Sequence, residues 1–104
     1  MNHYVAGTAV TVATYSGSVG GFRDRNGNLA DPGTVKLVYR KPGDVVDTIV
    51  TYPSAPILKD SAGLYHADLD TTAQVGLWEY EWMSPPGDPV QAIARNEFMV
   101  DGPV

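Results

Sequence analysis

A chain of 104 residues fits one domain, residues 1–104, with short tails expected at about 1–4 and 101–104. It has no cysteine, which excludes disulfides and thiolate metal sites. Its 7 basic and 12 acidic residues give a net charge of -5, and the positive side chains are scattered, so a surface for direct nucleic-acid binding is not expected.

The opening residues, Met1 to Gly7, carry neither a basic region nor a long apolar run, so no signal peptide is expected. No apolar stretch approaches the length needed to cross a membrane. The first strand signal is Thr8 to Tyr15, where Val10 and Val12 alternate with smaller residues and favour an extended backbone. Ser16 to Gly21 interrupts it with permissive glycines, which suit a bulge, a bend or a loop. Phe22 and Leu29 then read as apolar pins on either side of Asp24-Arg25-Asn26-Gly27, whose Asn-Gly pair signals a turn.

Asp31-Pro32-Gly33 is a second turn and leads into Thr34–Arg40. There Val35, Leu37 and Tyr39 should face a core, Lys36 and Arg40 water. Val38 falls on the outer face, a misfit that a partner or a loop could cover. After the turn at Lys41–Asp44, Val45 to Tyr52 reads as a strand of ambiguous register, because both of its faces are apolar. Pro53 and Pro56 exclude a regular central strand beyond it.

The clearest signals come next. Gly63 marks a turn, after which Tyr65, Ala67 and Leu69 share one strand face. Asp70 to Gly76 connects, with room for one helical turn capped by Asp70 or Thr71. Trp78, Tyr80 and Trp82 then share a face, with Glu79 and Glu81 opposite. Pro85-Pro86-Gly87-Asp88-Pro89 forms a stiff turn. In the last segment, Val90 to Val100, Ala92, Ala94, Phe98 and Val100 should point inward, with an irregularity near Asn96.

Short strands punctuated every 8–12 residues, with no helical period between them, predict an all-β chain: an immunoglobulin-like antiparallel β-sandwich of about seven strands. A small antiparallel barrel shares the same period and is the competing architecture. Gly63-Leu64-Tyr65-His66-Ala67 resembles the tyrosine-corner strand of immunoglobulin domains, with Ala67 at the cysteine position. A ring at the core edge and a hydroxyl bonded to a nearby backbone group are the expectation for Tyr65.

Few residues suggest chemistry. Asp24, Asn26, Asn28 and Asp31 have the oxygen-rich spacing of a calcium loop, but Arg25 intrudes and no closing glutamate follows, so a plain hairpin turn is expected. Asp60, Ser61 and His66 lie close in sequence without the directed geometry that a triad requires. Glu79 and Glu81 are a conceivable carboxylate pair that a solvated sheet face explains more simply. The aromatic row at Trp78, Tyr80 and Trp82 could serve as a carbohydrate platform only if its rings were exposed, and the interleaved glutamates predict rings turned inward. No enzyme activity, cofactor or metal is expected.

Several features follow one another in order: Val10 and Val12, Phe22-Arg23-Asp24, Gly27 to Pro32, Val35-Lys36-Leu37 and Pro42-Gly43. Lys59 to Asp68, Gly76 to Trp82 and Phe98-Met99-Val100 complete the series. Over residues 5–100 this order resembles a family of small immunoglobulin-like proteins encoded in the structural gene clusters of tailed bacteriophages. The resemblance implies a non-enzymatic virion protein, for capsid decoration, head completion or a tail accessory role, present in the host cytoplasm during assembly. Its partners would be phage capsid or head–tail proteins, with self-association on the particle as a further option. The alternative is tail-tip adhesion to a host surface or a carbohydrate-binding module. Loops at the sandwich ends are the natural docking elements. The candidates are Arg23, Arg25 and Asn28 on the early loop, and Pro85, Pro86, Asp88 and Pro89 on the late one.

Overall fold

Alternating side chains sort this chain into strands that bury one face each. A computed structural model describes residues 2–16, 19–72, 74–85 and 96–102. In chain order the strands are β1 (Asn2–Val5), β2 (Ala9–Ala13), β3 (Tyr15–Ser16), β4 (Val19–Gly20) and β5 (Lys36–Arg40). They continue with β6 (Thr48–Thr51), β7 (Ile57–Ser61), β8 (Leu64–Asp70), β9 (Gly76–Met83) and β10 (Asn96–Asp101). One sheet has five strands in the order β1-β10-β9-β5-β6, and the other three in the order β2-β8-β7. Strands β3 and β4 form a small separate ladder. The architecture is all-β, two packed sheets with a core between them, as in a β-sandwich.

The period-two faces hold. Val10 and Val12 of β2 and Tyr65, Ala67 and Leu69 of β8 are buried from one side, and Leu37, Trp78, Trp82, Phe98 and Val100 from the other. Trp78 stacks on Phe98 with ring centroids 5.5 Å apart, and Tyr80 packs half-buried beside them. Phe22 meets the Tyr65 ring edge-on at 5.7 Å, which joins the loop before β5 to the core.

Four expectations need correction. The segment expected as an N-terminal tail is β1, held by parallel pairing to β10, so the sandwich is not purely antiparallel. Ten strands are present among the described residues, in place of about seven. One of the additional ones is β7, whose only buried side chain is Ile57, so it lacks an alternating signal. The strand expected over Val45 to Tyr52 is confined to Thr48–Thr51, and Val45 and Val46 stand exposed in the turn before it. Between β8 and β9, Asp70 does act as a cap, accepting from the Thr72 amide and hydroxyl, and Gln74 N–H closes a turn on Thr71. Ala92 and Ala94 lie outside the described residues.

Candidate functional site

The early loop is built on its own backbone. Arg23 and Leu29 form an antiparallel bridge, and the Asn26-Gly27 turn closes it with Gly27 at a φ of 85°. Asp24 sits at the pivot: its Oδ1 accepts the amides of Asn26 at 2.9 Å and Asn28 at 3.0 Å. A carboxylate oxygen engaged by two backbone donors stiffens the turn from within. That oxygen is therefore committed to the hairpin turn that the Asn-Gly pair predicts.

Arg23, expected to reach outward, instead spans the base of the loop. Its Nε donates to Gly20 C=O at 3.0 Å and its Nη1 to Gly27 C=O at 2.7 Å. The guanidinium thus works as a brace, with its rigid fork matched to two carbonyls. Arg25 and Asn28 are exposed, as docking residues must be. On the late loop Pro85 is half-buried after the end of β9, and Pro86, Asp88 and Pro89 lie outside the described residues.

Asp31 ties this loop to the second sheet. Its Oδ1 accepts the Tyr65 hydroxyl at 2.8 Å and the Gly63 amide at 2.9 Å, while its Oδ2 accepts Lys59 Nζ at 2.7 Å. The Tyr65 hydroxyl was expected on a backbone group. A carboxylate takes that place because Asp31 reaches the core edge from the opposite side of the loop. Three donors, the Lys59 ammonium first, hold the Asp31 carboxyl below the usual carboxylate range against the opposing cost of burial. Burial, followed by the hydrogen bond to Asp31, pushes the Tyr65 hydroxyl upward.

Gly63 is where the pieces meet. Its φ is 75°, and an added Cβ would lie 2.5 Å from the Phe22 carbonyl oxygen. The close approach is needed because Phe22 N–H donates to Gly63 C=O at 2.9 Å. Thr14, buried, donates its hydroxyl to the same carbonyl and accepts the Tyr65 amide. The loop is thus bonded into the sandwich from three directions.

A second cluster lies on the outer face of β7 and β8. Asp60 accepts the Tyr15 hydroxyl at 2.8 Å and meets His66 Nδ1 at 2.8 Å. The imidazole lowers the Asp60 carboxyl below its ordinary value, and Asp60 raises the Tyr15 hydroxyl. Among the described residues Ser61 makes no hydrogen bond to His66, whose Nδ1 faces the Asp60 carboxylate. An open cleft of about 410 Å³ lies between the sheets near β3, lined in part by Asn2, Thr11, Tyr15, Tyr80 and Asn96.

Sequence reasoning found the loop and missed its anchor. The sequence presents Asp31 as a turn residue and as one oxygen of a calcium-like spacing, and the sole signal for an anchor is a tyrosine-corner strand that needs a hydroxyl acceptor.

The chain matches no family model, no curated protein and no solved structure. Its function has to be argued from its own residues.

Proposed function

We propose that this is a non-enzymatic structural protein of a viral particle, an immunoglobulin-like capsid decoration or head-completion protein that docks through its braced early loop. The observation that carries the reading is the loop from Arg23 to Asp31. Arg23, Asp24 and Asp31 spend their hydrogen bonds on holding it, which leaves Arg25 and Asn28 projecting from a rigid support. A preorganised loop has less conformational freedom to lose on binding. Repetition by particle symmetry would turn weak single contacts into high occupancy. The order of features along residues 5–100 supports the phage assignment.

Host-surface adhesion is the second reading. If it holds, a glycan would enter the cleft beside Tyr80, because Trp78 and Trp82 are buried and offer no exposed platform.

The test is a composition measurement and a cryo-electron microscopy map of particles produced with and without this protein. Decoration predicts many copies on the head surface with the early loop at the contact, and loss of occupancy in an Arg25→Glu/Asn28→Ala variant. Head completion predicts a few copies at one vertex. Complete absence from finished particles overturns the proposal.

A further inference from the structure

Strand β6 is one edge of the five-stranded sheet, with β1 at the other, and among the described residues no strand pairs with its outer side. The direction of its backbone groups follows from one bond. Tyr52 N–H donates to Val35 C=O at 2.9 Å, which places that pair in the hydrogen-bonded class of the β5–β6 ladder. Pairs alternate in class along an antiparallel ladder, so Val50 and Thr48 also face β5. The N–H and C=O groups of Asp47 and Ile49 and the N–H of Thr51 therefore point away from the sheet, while the Thr51 C=O already accepts the Ser54 N–H at 2.9 Å in the turn that follows.

Exposed edges are ordinarily blunted by lysine, proline or a bulge. Strand β7, at an edge of the other sheet, has such protection: a register shift between Lys59 and Ser61, with Lys59 and Asp60 along it. Strand β6 reads Thr48-Ile49-Val50-Thr51 and has none of these devices. Its outward side chain Ile49 is 62% exposed, and the turn leading into it leaves Val45 88% and Val46 70% exposed. On the same face Ile49 sits opposite Val38, the misfit of the β5 pattern.

We propose that the β6 edge pairs with the β6 edge of a second copy of this chain, antiparallel about a twofold axis through Ile49. This surface is separate from the early loop, and the proposal stands whether or not the protein belongs to a virion. The register follows from which residues point outward and from charge. With Ile49 facing its counterpart, Asp47 of each copy faces Thr51 of the other. The Ile49 pair brings free outward backbone groups together, and at the outer pairs the Thr51 N–H is free while its carbonyl, already accepting Ser54 N–H, would accept Asp47 N–H on its second lone pair. A shift of two residues toward the C-terminus would set Asp47 against Pro53, which has no N–H to give.

The side chains agree. Lys36 lies opposite Thr51 in its own sheet. Asp47, already bonded to Arg40 of its own copy at 2.9 Å, would therefore have Lys36 of the other copy about 10 Å away, two strand spacings and within reach of a lysine stem. The central row would read Val38, Ile49, Ile49, Val38 across the axis, an apolar strip with no like charges opposed. Edge and charges are self-complementary, as an isologous contact requires.

Sedimentation equilibrium from micromolar to millimolar concentration tests this directly. The expected result is a mass rising from 11.1 kDa toward twice that value. Ile49→Lys places two like charges on the axis and should weaken association on the order of 100-fold, about 2.8 kcal/mol. Thr51→Pro removes an outward N–H and leaves the bonds to β5 in place, so it should weaken association while the circular dichroism spectrum stays native. As the chain has no cysteine, Ile49→Cys should oxidise rapidly to a covalent dimer, and Leu58→Cys on β7 should not. A chain that remains monomeric throughout the range overturns the proposal, even if it captures an extended peptide from another protein. So does a dimer that survives both Ile49→Lys and Thr51→Pro. If Thr51→Pro fails to fold, the two Ile49 variants decide.

Discussion

Replacing Asp31 with alanine removes the acceptor shared by the Tyr65 hydroxyl and the Gly63 amide, and the cost can be worked from those contacts. An unpaired buried donor costs about 1–3 kcal/mol. Asp31 itself is open to solvent, so water can partly replace the lost acceptor and the lower part of that range applies to each donor. The expected loss is about 2–3 kcal/mol, equivalent to roughly 10–20 °C in Tm for a domain of this size. Tyr65→Phe removes one donor with its bond and should cost about 1–1.5 kcal/mol. The double variant should cost less than the sum, since the shared bond is counted in both single changes. Urea unfolding with an unchanged m-value is the assay. The pH dependence has a definite sign. The Asp31 carboxyl is held below its unfolded value, so its stabilisation is fully present above about pH 4 and fades as pH falls through the folded value. Asp31→Asn should flatten that acid limb. An Asp31→Ala variant as stable as exposed Asp44→Ala would refute the assignment of Asp31 as the anchor.

Two further variant pairs probe the same frame. Gly63→Ala should cost at least about 3 kcal/mol, from the positive φ and a Cβ driven against the Phe22 carbonyl, whereas Gly27→Ala, with open space around it, should cost only about 1 kcal/mol; equal costs in thermal unfolding would mean that the close approach at Gly63 is unimportant. Trp82→Ala should cost about 3–5 kcal/mol and Glu81→Ala about 0.5 kcal/mol or less, and denaturant unfolding that ranks them equally would reverse the assigned faces of β9.

The strands that bury one full face were legible because the chain writes them at period two. Strands β2, β5, β8 and β9 all show this, down to the outward Val38. Strand β7 could not be read that way: after Ile57 its side chains are exposed on both faces, so burial left no alternating trace. Strand β1 pairs with a segment almost a full chain length away, and nothing local to Asn2–Val5 announces a partner. The loop shows the same division. Its turn was visible in Asn26-Gly27, but the acceptors of Arg23 are backbone carbonyls that converge only after folding, which is why Arg23 was read as reaching outward. Tyr65 was recognised as a corner, and its actual acceptor lies 34 positions upstream, beyond any local spacing rule.

The parallel pairing of β1 with β10 also bears on the order in which the chain can fold. Asn2 lies opposite Phe98, so closing that ladder requires a loop of nearly the entire domain. Long-range closures are costly in entropy before any contact compensates, and chains rich in them fold slowly. During synthesis β1 emerges before the other described strands and must wait for β10, its partner. Until then the Tyr4 ring has no Phe98 to pack against. The earliest of the described strands to be made is therefore among the last to settle, and a nascent chain carries it unmatched until β10 has been translated.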